Sequence, residues 1–337
     1  MDNYVISIYD NKKNDAGPKA KQDIDKFLTE KDFKIIKLKF DLNGSLVSKM
    51  KKIKYALWDI PRAFKNRRMD TIVLQYPLYS LVLMKQLIKN ARKYSNAKLL
   101  FVIHDVESLR LFKNNAAYVA AEIELLNVAD GLIVHNDKML AWLKQHGVTT
   151  QMVSLQIFDY DNTQELQRSE TFKKDVCFAG NLKKAKFLEK MTTQNEVDIY
   201  GPNPAKTYSN GLVYKGIYSP EELPKHLTQN FGLVWDGTAL SACNGVYGEY
   251  MKFNNPHKAS LYLSSGIPVI IWKQAALADF IEANGVGIAL ESLADLDHVL
   301  ASISASEYKE MRQNAIKVGQ KMRTGHFTKT AFSKFHF

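Results

Sequence analysis

Short apolar runs alternate with longer amphipathic stretches along most of this 337-residue chain, and that alternation limits the possible folds more than any other feature. Tyr4 to Tyr9, Phe33 to Phe40, Thr71 to Gln75, Leu99 to Ile103 and Gly131 to Val134 read as buried strands. Helical periodicity fills the gaps at Ala20 to Glu30, Leu46 to Phe64, Tyr79 to Tyr94, Asn115 to Asn127 and the run HNDKMLAWLKQHG. Strand-then-helix order predicts a parallel sheet covered on both faces, with ligands at the carboxyl ends of its strands. Around Thr150 to Lys174 the pattern loosens into polar text, and a second series follows: Asp175 to Ala179, Glu196 to Tyr200, Leu212 to Lys215, Phe231 to Trp235, Ile267 to Trp272 and Val286 to Leu290. The division expected is a first domain over 1–155, a linker over 156–174, a second domain over 175–315, and a C-terminal helix or tail over 316–337 packing back on the first domain.

Composition narrows the partners without choosing one. A net charge of +11 and a pI near 9.3 favour anions such as nucleotides, phospholipid surfaces or nucleic acid. Cys177 and Cys243 have no metal-ligand spacing and form no disulfide framework, which fits a reducing cytoplasm. No apolar run approaches the ~20 residues of a membrane helix, so at most peripheral membrane contact is expected. Lys49 to Lys54 and Arg62 to Arg68 form a positive stripe beside aromatic residues, but no recognised nucleic-acid module accompanies it and no nucleic-acid partner is expected. The basic, aromatic tail KVGQKMRTGHFTKTAFSKFHF suits either anionic lipid or packing between domains.

Tyr247 to Lys273 carries the clearest site signal. Asn255 as N-cap and Pro256 as first helical residue place a helix N-terminus beside Lys258, with the helix ending near Ser265 at Gly266. Helix dipole, free amides and Lys252 or Lys258 then converge on one spot that suits a diphosphate. A capped surface helix with solvated lysines fits the same text. Gly180 to Lys184 leads a glycine-containing loop into a basic helix, a second phosphate edge. Ser219 and Glu222 read as a capping box with Pro220 in the first turn, and a glycine-rich, flexible segment runs from Asp236 to Glu249.

On the first domain the ligand-edge loops are Asp10 to Lys19, Gln75 to Tyr79, and His104 to Arg110. His104, Asp105 and Glu107 are possible proton acceptors and Arg110 an anion ligand; a solvated strand-to-helix turn has the same residues. No GxGxxG follows a strand and no GxxxxGK[ST] occurs. The D-x-D pairs Asp23/Asp25, Asp159/Asp161 and Asp295/Asp297 fall on a helix, in the linker and in a late turn, so no metal is expected.

Specific wording then narrows the class. FAGNL at Phe178 to Leu182, YGP at Tyr200 to Pro202, YKGIYSPEELP at Tyr214 to Pro224 and YMKFNNPHKASLYLSSGIPVI at Tyr250 to Ile270 resemble glycosyltransferases that extend O-linked GlcNAc on bacterial serine-rich-repeat adhesins, with HDVESLR and DAGPKAKQDI in agreement. Galactofuranosyl and other polysaccharide transferases are related. The resemblance implies a GT-B architecture, two Rossmann-like domains with a cleft between them. It also implies UDP-glucose as donor substrate, a GlcNAc-modified serine-rich protein as acceptor, a homo-oligomer (dimer or tetramer), and no cofactor. Asn181, Tyr218, Lys252, Asn254, Asn255 and Lys258 would contact the UDP-sugar; Asp15, Ala16, Gly17, His104 and Arg110 would face the acceptor. Glu249 lacks the partner glutamate of an E-x7-E pair, so inversion is expected, with Asp105 as base and Glu107 or His104 behind it. A UDP-sugar epimerase and a non-catalytic sugar-nucleotide-binding partner of another transferase are the rival readings.

Overall fold

The computed structural model describes residues 2–9, 16–40, 46–78, 80–166 and 171–335. Twelve strands are present among them: β1 (Asn3–Tyr9), β2 (Lys34–Lys39), β3 (Thr71–Tyr76), β4 (Lys98–Ile103), β5 (Gly131–Val134), β6 (Met152–Ser154), β7 (Val176–Ala179), β8 (Val197–Tyr200), β9 (Leu212–Gly216), β10 (Phe231–Val234), β11 (Val269–Trp272) and β12 (Gly287–Leu290). Each run that the apolar pattern marks as a strand is one. Only β6 lies where polar text had suggested a crossing; it is three residues long and half-buried at both ends.

All strand pairs are parallel, and they form two six-stranded sheets. The first is ordered β2-β1-β3-β4-β5-β6 and the second β9-β8-β7-β10-β11-β12. Each chain path starts inside its sheet, moves to one edge, then returns past its start to build the other side. The order reverses between β1 and β3 in the first sheet and between β7 and β10 in the second, and crevices at such switch points are where open parallel sheets bind ligands.

The chain divides into two compact units: 1–108, 112–155 and 328–337 form the first, and 109–111 with 156–327 the second. Residues 156–166 and 171–174 therefore belong with the second unit rather than standing apart as a linker. Ile157 and Tyr160 are buried in its core. The tail also divides. Helix Ala305–Arg323 serves the second unit, where Arg323 donates to the backbone oxygens of Ser264 (2.7 Å) and Gln164 (2.6 Å). In the first unit, Phe332 meets Phe33 edge-on at 5.8 Å and Lys329 pairs with Glu30 at 2.6 Å.

Candidate active site

In the second unit the carboxyl edge is organised around Lys258. This residue is on helix His257–Ser264, which follows β10 and precedes β11. Its Nζ donates to Asp236 Oδ1 at 3.0 Å and to the Trp235 carbonyl at 3.1 Å, and lies 4.6 Å over the Phe178 ring. Phe178 is on β7 and Asp236 just past β10, so the ammonium stands at the switch point, where the sheet's ligand crevice is expected. The backbone there is tight. Gly201 sits at φ +134, and a Cβ on it would come within 1.9 Å of the Gly180 carbonyl oxygen, so only glycine lets the loops after β7 and β8 close together.

Several local expectations need correction. Asn255 is not the helix cap: Pro256 is extended (ψ 124) and takes the N-cap position, while Asn255 is buried and donates to the Gln156 carbonyl at 3.0 Å. Its amide ties the helix start to the polar crossing. Asn181 does cap, but only a short 3-10 turn, Leu182–Lys184, accepting from Lys183 N at 3.1 Å and Asn203 Nδ2 at 3.0 Å; no basic α-helix follows. After Ser219 the helix begins at Leu223, with Pro224 rather than Pro220 in its first turn. Tyr218, ahead of this helix, stacks on His226 at 3.6 Å.

The segment 237–249 is folded back on itself by hydrogen bonds. Asn244 Oδ1 accepts from Thr238 N at 2.7 Å, and Gly237 at φ +110 leaves that oxygen the room a Cβ would occupy. Helix Gly245–Tyr250 then presents Glu249, which Lys252 meets at 3.1 Å. Asn254 Oδ1 is buried without a hydrogen bond, an acceptor beside the same helix start. Lys184 lies 3.9 Å over Tyr247, adding a further cation to this edge.

The first unit's switch point is built from different chemistry. Ser7 on β1, Asp25 on helix Ala16–Thr29, Gln75 on β3 and His104 just past β4 form one hydrogen-bonded chain. Gln75 Nε2 donates to Asp25 Oδ1 at 2.7 Å and to the Lys21 carbonyl at 3.1 Å, which turns its Oε1 toward His104 Nε2 at 2.7 Å. Since a carbonyl oxygen only accepts, Nε2 of His104 carries the proton there. Burial pushes the Asp25 carboxyl up to about 6, against the opposing pull of the Ser7 and Gln75 donors.

The loop after β4 is held by a second buried carboxylate. Glu122 accepts from Tyr76 Oη at 2.5 Å and from the backbone amides of Glu107 (3.1 Å) and Ser108 (2.7 Å). Burial, with Glu122 beside it, raises the Tyr76 phenol. Glu107 is buried, whereas Asp105 and His104 are half-exposed, leaving Asp105 the accessible carboxylate of this loop. Arg110 belongs with the second unit, its guanidinium 5.8 Å over the Tyr250 ring, whereas His104 belongs with the first. Asp15 lies outside the described residues, and Ala16 and Gly17 open helix Ala16–Thr29.

One carboxylate of each D-x-D pair is engaged structurally. Asp25 belongs to the chain just described, Asp159 accepts from Phe327 N at 3.2 Å, and Asp297 accepts from Gln194 N (3.0 Å) and Asn195 Nδ2 (2.7 Å). Burial raises Asp297, but the Thr193, Gln194 and Asn195 donors outweigh it and its carboxyl ends below the usual range. Cys177 and Cys243 are buried and free. Among the described residues no helix is long and apolar enough to cross a membrane.

Two parallel, doubly wound units are the architecture of the GT-B glycosyltransferases. Sucrose-phosphate synthase from Thermosynechococcus elongatus shares the architecture, with a TM-score of 0.62 at 11% identity over 98% of this chain and 97% of that one. An alpha-glucosyltransferase in complex with UDP has a TM-score of 0.62 at 10% identity, covering 98% of both chains. In sequence, the glucosyltransferase 3-like N-terminal domain matches residues 2–157 and the glucosyltransferase 3-like C-terminal domain residues 176–335. This chain belongs to the glucosyltransferase 3-like family of glycosyltransferases. Among its relatives, beta-1,6-galactofuranosyltransferase WbbI of Escherichia coli (strain K12) is 34% identical over 233 residues, 67% of either chain. Glucosyltransferase 3 of Streptococcus gordonii is 27% identical over 262 residues, 77% of either chain.

Proposed function

We propose that this glycosyltransferase moves a hexose, glucose from UDP-glucose, onto GlcNAc-O-Ser/Thr of a serine-rich-repeat protein, with inversion and without a metal. The observation that carries the donor half is Lys258, an ammonium set at the switch point beside a helix start. Lys258 and the first amides of helix His257–Ser264 take the charge that develops on the diphosphate, a role for which fixed donors are suited. Asn254 Oδ1 accepts a hydroxyl of the bound sugar nucleotide. Asp105 removes the proton from the acceptor hydroxyl as its oxygen attacks the anomeric carbon, and UDP leaves with the electrons of the broken C–O bond. Engagement of Asp25, Asp159 and Asp297 in protein hydrogen bonds supports chemistry without a bridging metal.

The 34% identity to a galactofuranosyltransferase favours a second reading, in which the donor is UDP-galactofuranose and the acceptor a cell-surface polysaccharide. Incubation of a GlcNAc-modified serine-rich peptide with UDP-glucose, UDP-galactose or UDP-GlcNAc, and of a hexose oligosaccharide with UDP-galactofuranose, separates the two. A hexose mass gain on the peptide with UDP-glucose supports the first reading. Transfer only to the oligosaccharide replaces it with the second, and UDP release without any acceptor product refutes both. Activity that disappears with a chelator and returns with Mg²⁺ or Mn²⁺ contradicts the metal-free mechanism.

A further inference from the structure

Among the described residues the basic stripe read from the sequence is not among the side chains named at either switch point, and it borders an exposed apolar ridge of the first unit. Helix Leu46–Lys54 runs through a π-helical turn, Tyr55–Asp59, into helix Ile60–Phe64. Met50, Ile53 and Leu57 follow one another in steps of three and four residues and Trp58 adjoins them, so all four point from one face. They are 73%, 61%, 65% and 73% exposed, whereas Tyr55, Ile60, Ala63 and Phe64 on the other side are buried. Four large apolar side chains side by side are not the scattered exposure of an ordinary surface.

The charge around the ridge says what covers it. Lys51, Lys52 and Lys54 close the first helix, and Arg62, Lys65 and Arg67 follow. Of the carboxylates nearby, Asp59 is paired with Lys54 at 3.3 Å and Asp70 faces Arg68 at 4.0 Å. Beside the ridge lies a groove of about 880 Å³ whose lining includes Lys37, Lys39, Lys51, Lys54, Arg62 and Arg67, with Asp59 the one acid among the described lining residues. A second copy of this chain docked face to face would set these cations against each other. Nucleic acid would satisfy the cations but leave Met50, Ile53 and Leu57 against water or phosphate. An anionic bilayer surface satisfies both: aliphatic side chains and an indole enter the headgroup boundary while lysines and arginines meet lipid phosphates.

We propose that the face formed by residues 50–68 docks this enzyme onto membranes containing anionic phospholipid, with Met50, Ile53, Leu57 and Trp58 inserted and the basic groove holding headgroups. The docking is peripheral and independent of which sugar is transferred.

Flotation of the full-length protein with vesicles of phosphatidylcholine, with and without phosphatidylglycerol, tests it. The expected result is co-flotation only with phosphatidylglycerol, weakened by added salt, with a blue shift of Trp fluorescence that Trp58→Phe removes. Lys51→Glu with Lys54→Glu lowers vesicle partition by about thirtyfold or more, taking about fivefold per basic residue near the surface. Leu57→Asp with Trp58→Asp, or the milder Met50→Ser with Ile53→Ser, abolishes flotation while turnover of a soluble acceptor stays at the wild-type level. Absent flotation, or flotation equal for both lipid compositions, overturns the proposal. So does a protein with Leu57→Asp and Trp58→Asp that still floats or that changes from oligomer to monomer on gel filtration, or a single-stranded oligonucleotide that binds the wild type more tightly than the phosphatidylglycerol vesicles do.

Discussion

The two units share a fold and differ in what they place at its focal point. In the second, one cation, Lys258, meets Asp236 and a carbonyl over an aromatic face, next to a helix start. In the first, among the described residues, Asp25, Gln75 and His104 form a chain of donors and acceptors that includes a half-exposed imidazole. Parallel sheets supply a crevice wherever strand order reverses, but side chains decide what the crevice binds. A fixed positive group suits a leaving diphosphate, and a polar relay beside a carboxylate suits an attacking hydroxyl.

If that contrast is right, damage on the two sides should separate in kinetics. The largest effect is expected from Asp105→Asn, which should lower kcat by about 10²–10⁴-fold, the range for a positioned general base, while UDP affinity stays unchanged. Steady-state rates that fall less than tenfold would move the base elsewhere. Next comes a pH effect from Asp25. Its folded pKa, about 6, lies above the ordinary 3.8, so the native state binds the extra proton between those values and stability falls as pH rises through that window. Roughly two units correspond to a loss of up to about 3 kcal/mol, absent in Asp25→Asn. Urea unfolding from pH 4 to pH 7 should show the two proteins diverging there; parallel curves would refute a buried, raised carboxyl.

Gln75→Leu removes the link shared by Asp25 and His104 and should destabilise the first unit by about 2 kcal/mol, since the buried Asp25 carboxyl and the half-exposed His104 imidazole both lose a partner. Smallest is Lys252→Ala. Its pair with Glu249 is more than a third exposed on both sides, so the stability change in thermal unfolding should stay within about 1 kcal/mol.

Much of the fold was legible because its strands are short, apolar and bounded by polar loops, which leaves little room for another reading. Met152–Ser154 escaped for the opposite reason, being a three-residue edge strand in polar text. Lys258 was legible from its place after Asn255 and Pro256, even though Asn255 turns out to bond Gln156 rather than cap. Its partner Asp236 was not, since it is 22 residues away. The relay was hidden more deeply: Gln75 lies 50 residues from Asp25 and 29 from His104. Its one local signal was a glutamine within the otherwise apolar end of the strand TIVLQY, and a buried polar side chain needs a partner. Asp25 carried a signal of the wrong kind, a D-x-D spacing that suggests metal but places one carboxylate toward Gln75.

Calorimetric titration of UDP into wild type, Lys258→Ala and Asp105→Asn tests the division of labour most directly. Losing a charged hydrogen-bond donor should weaken UDP binding to Lys258→Ala by about 1.5–3 kcal/mol, with Asp105→Asn indistinguishable from wild type. Equal affinity for all three proteins, or a loss confined to Asp105→Asn, would contradict the assignment of the donor to the second unit.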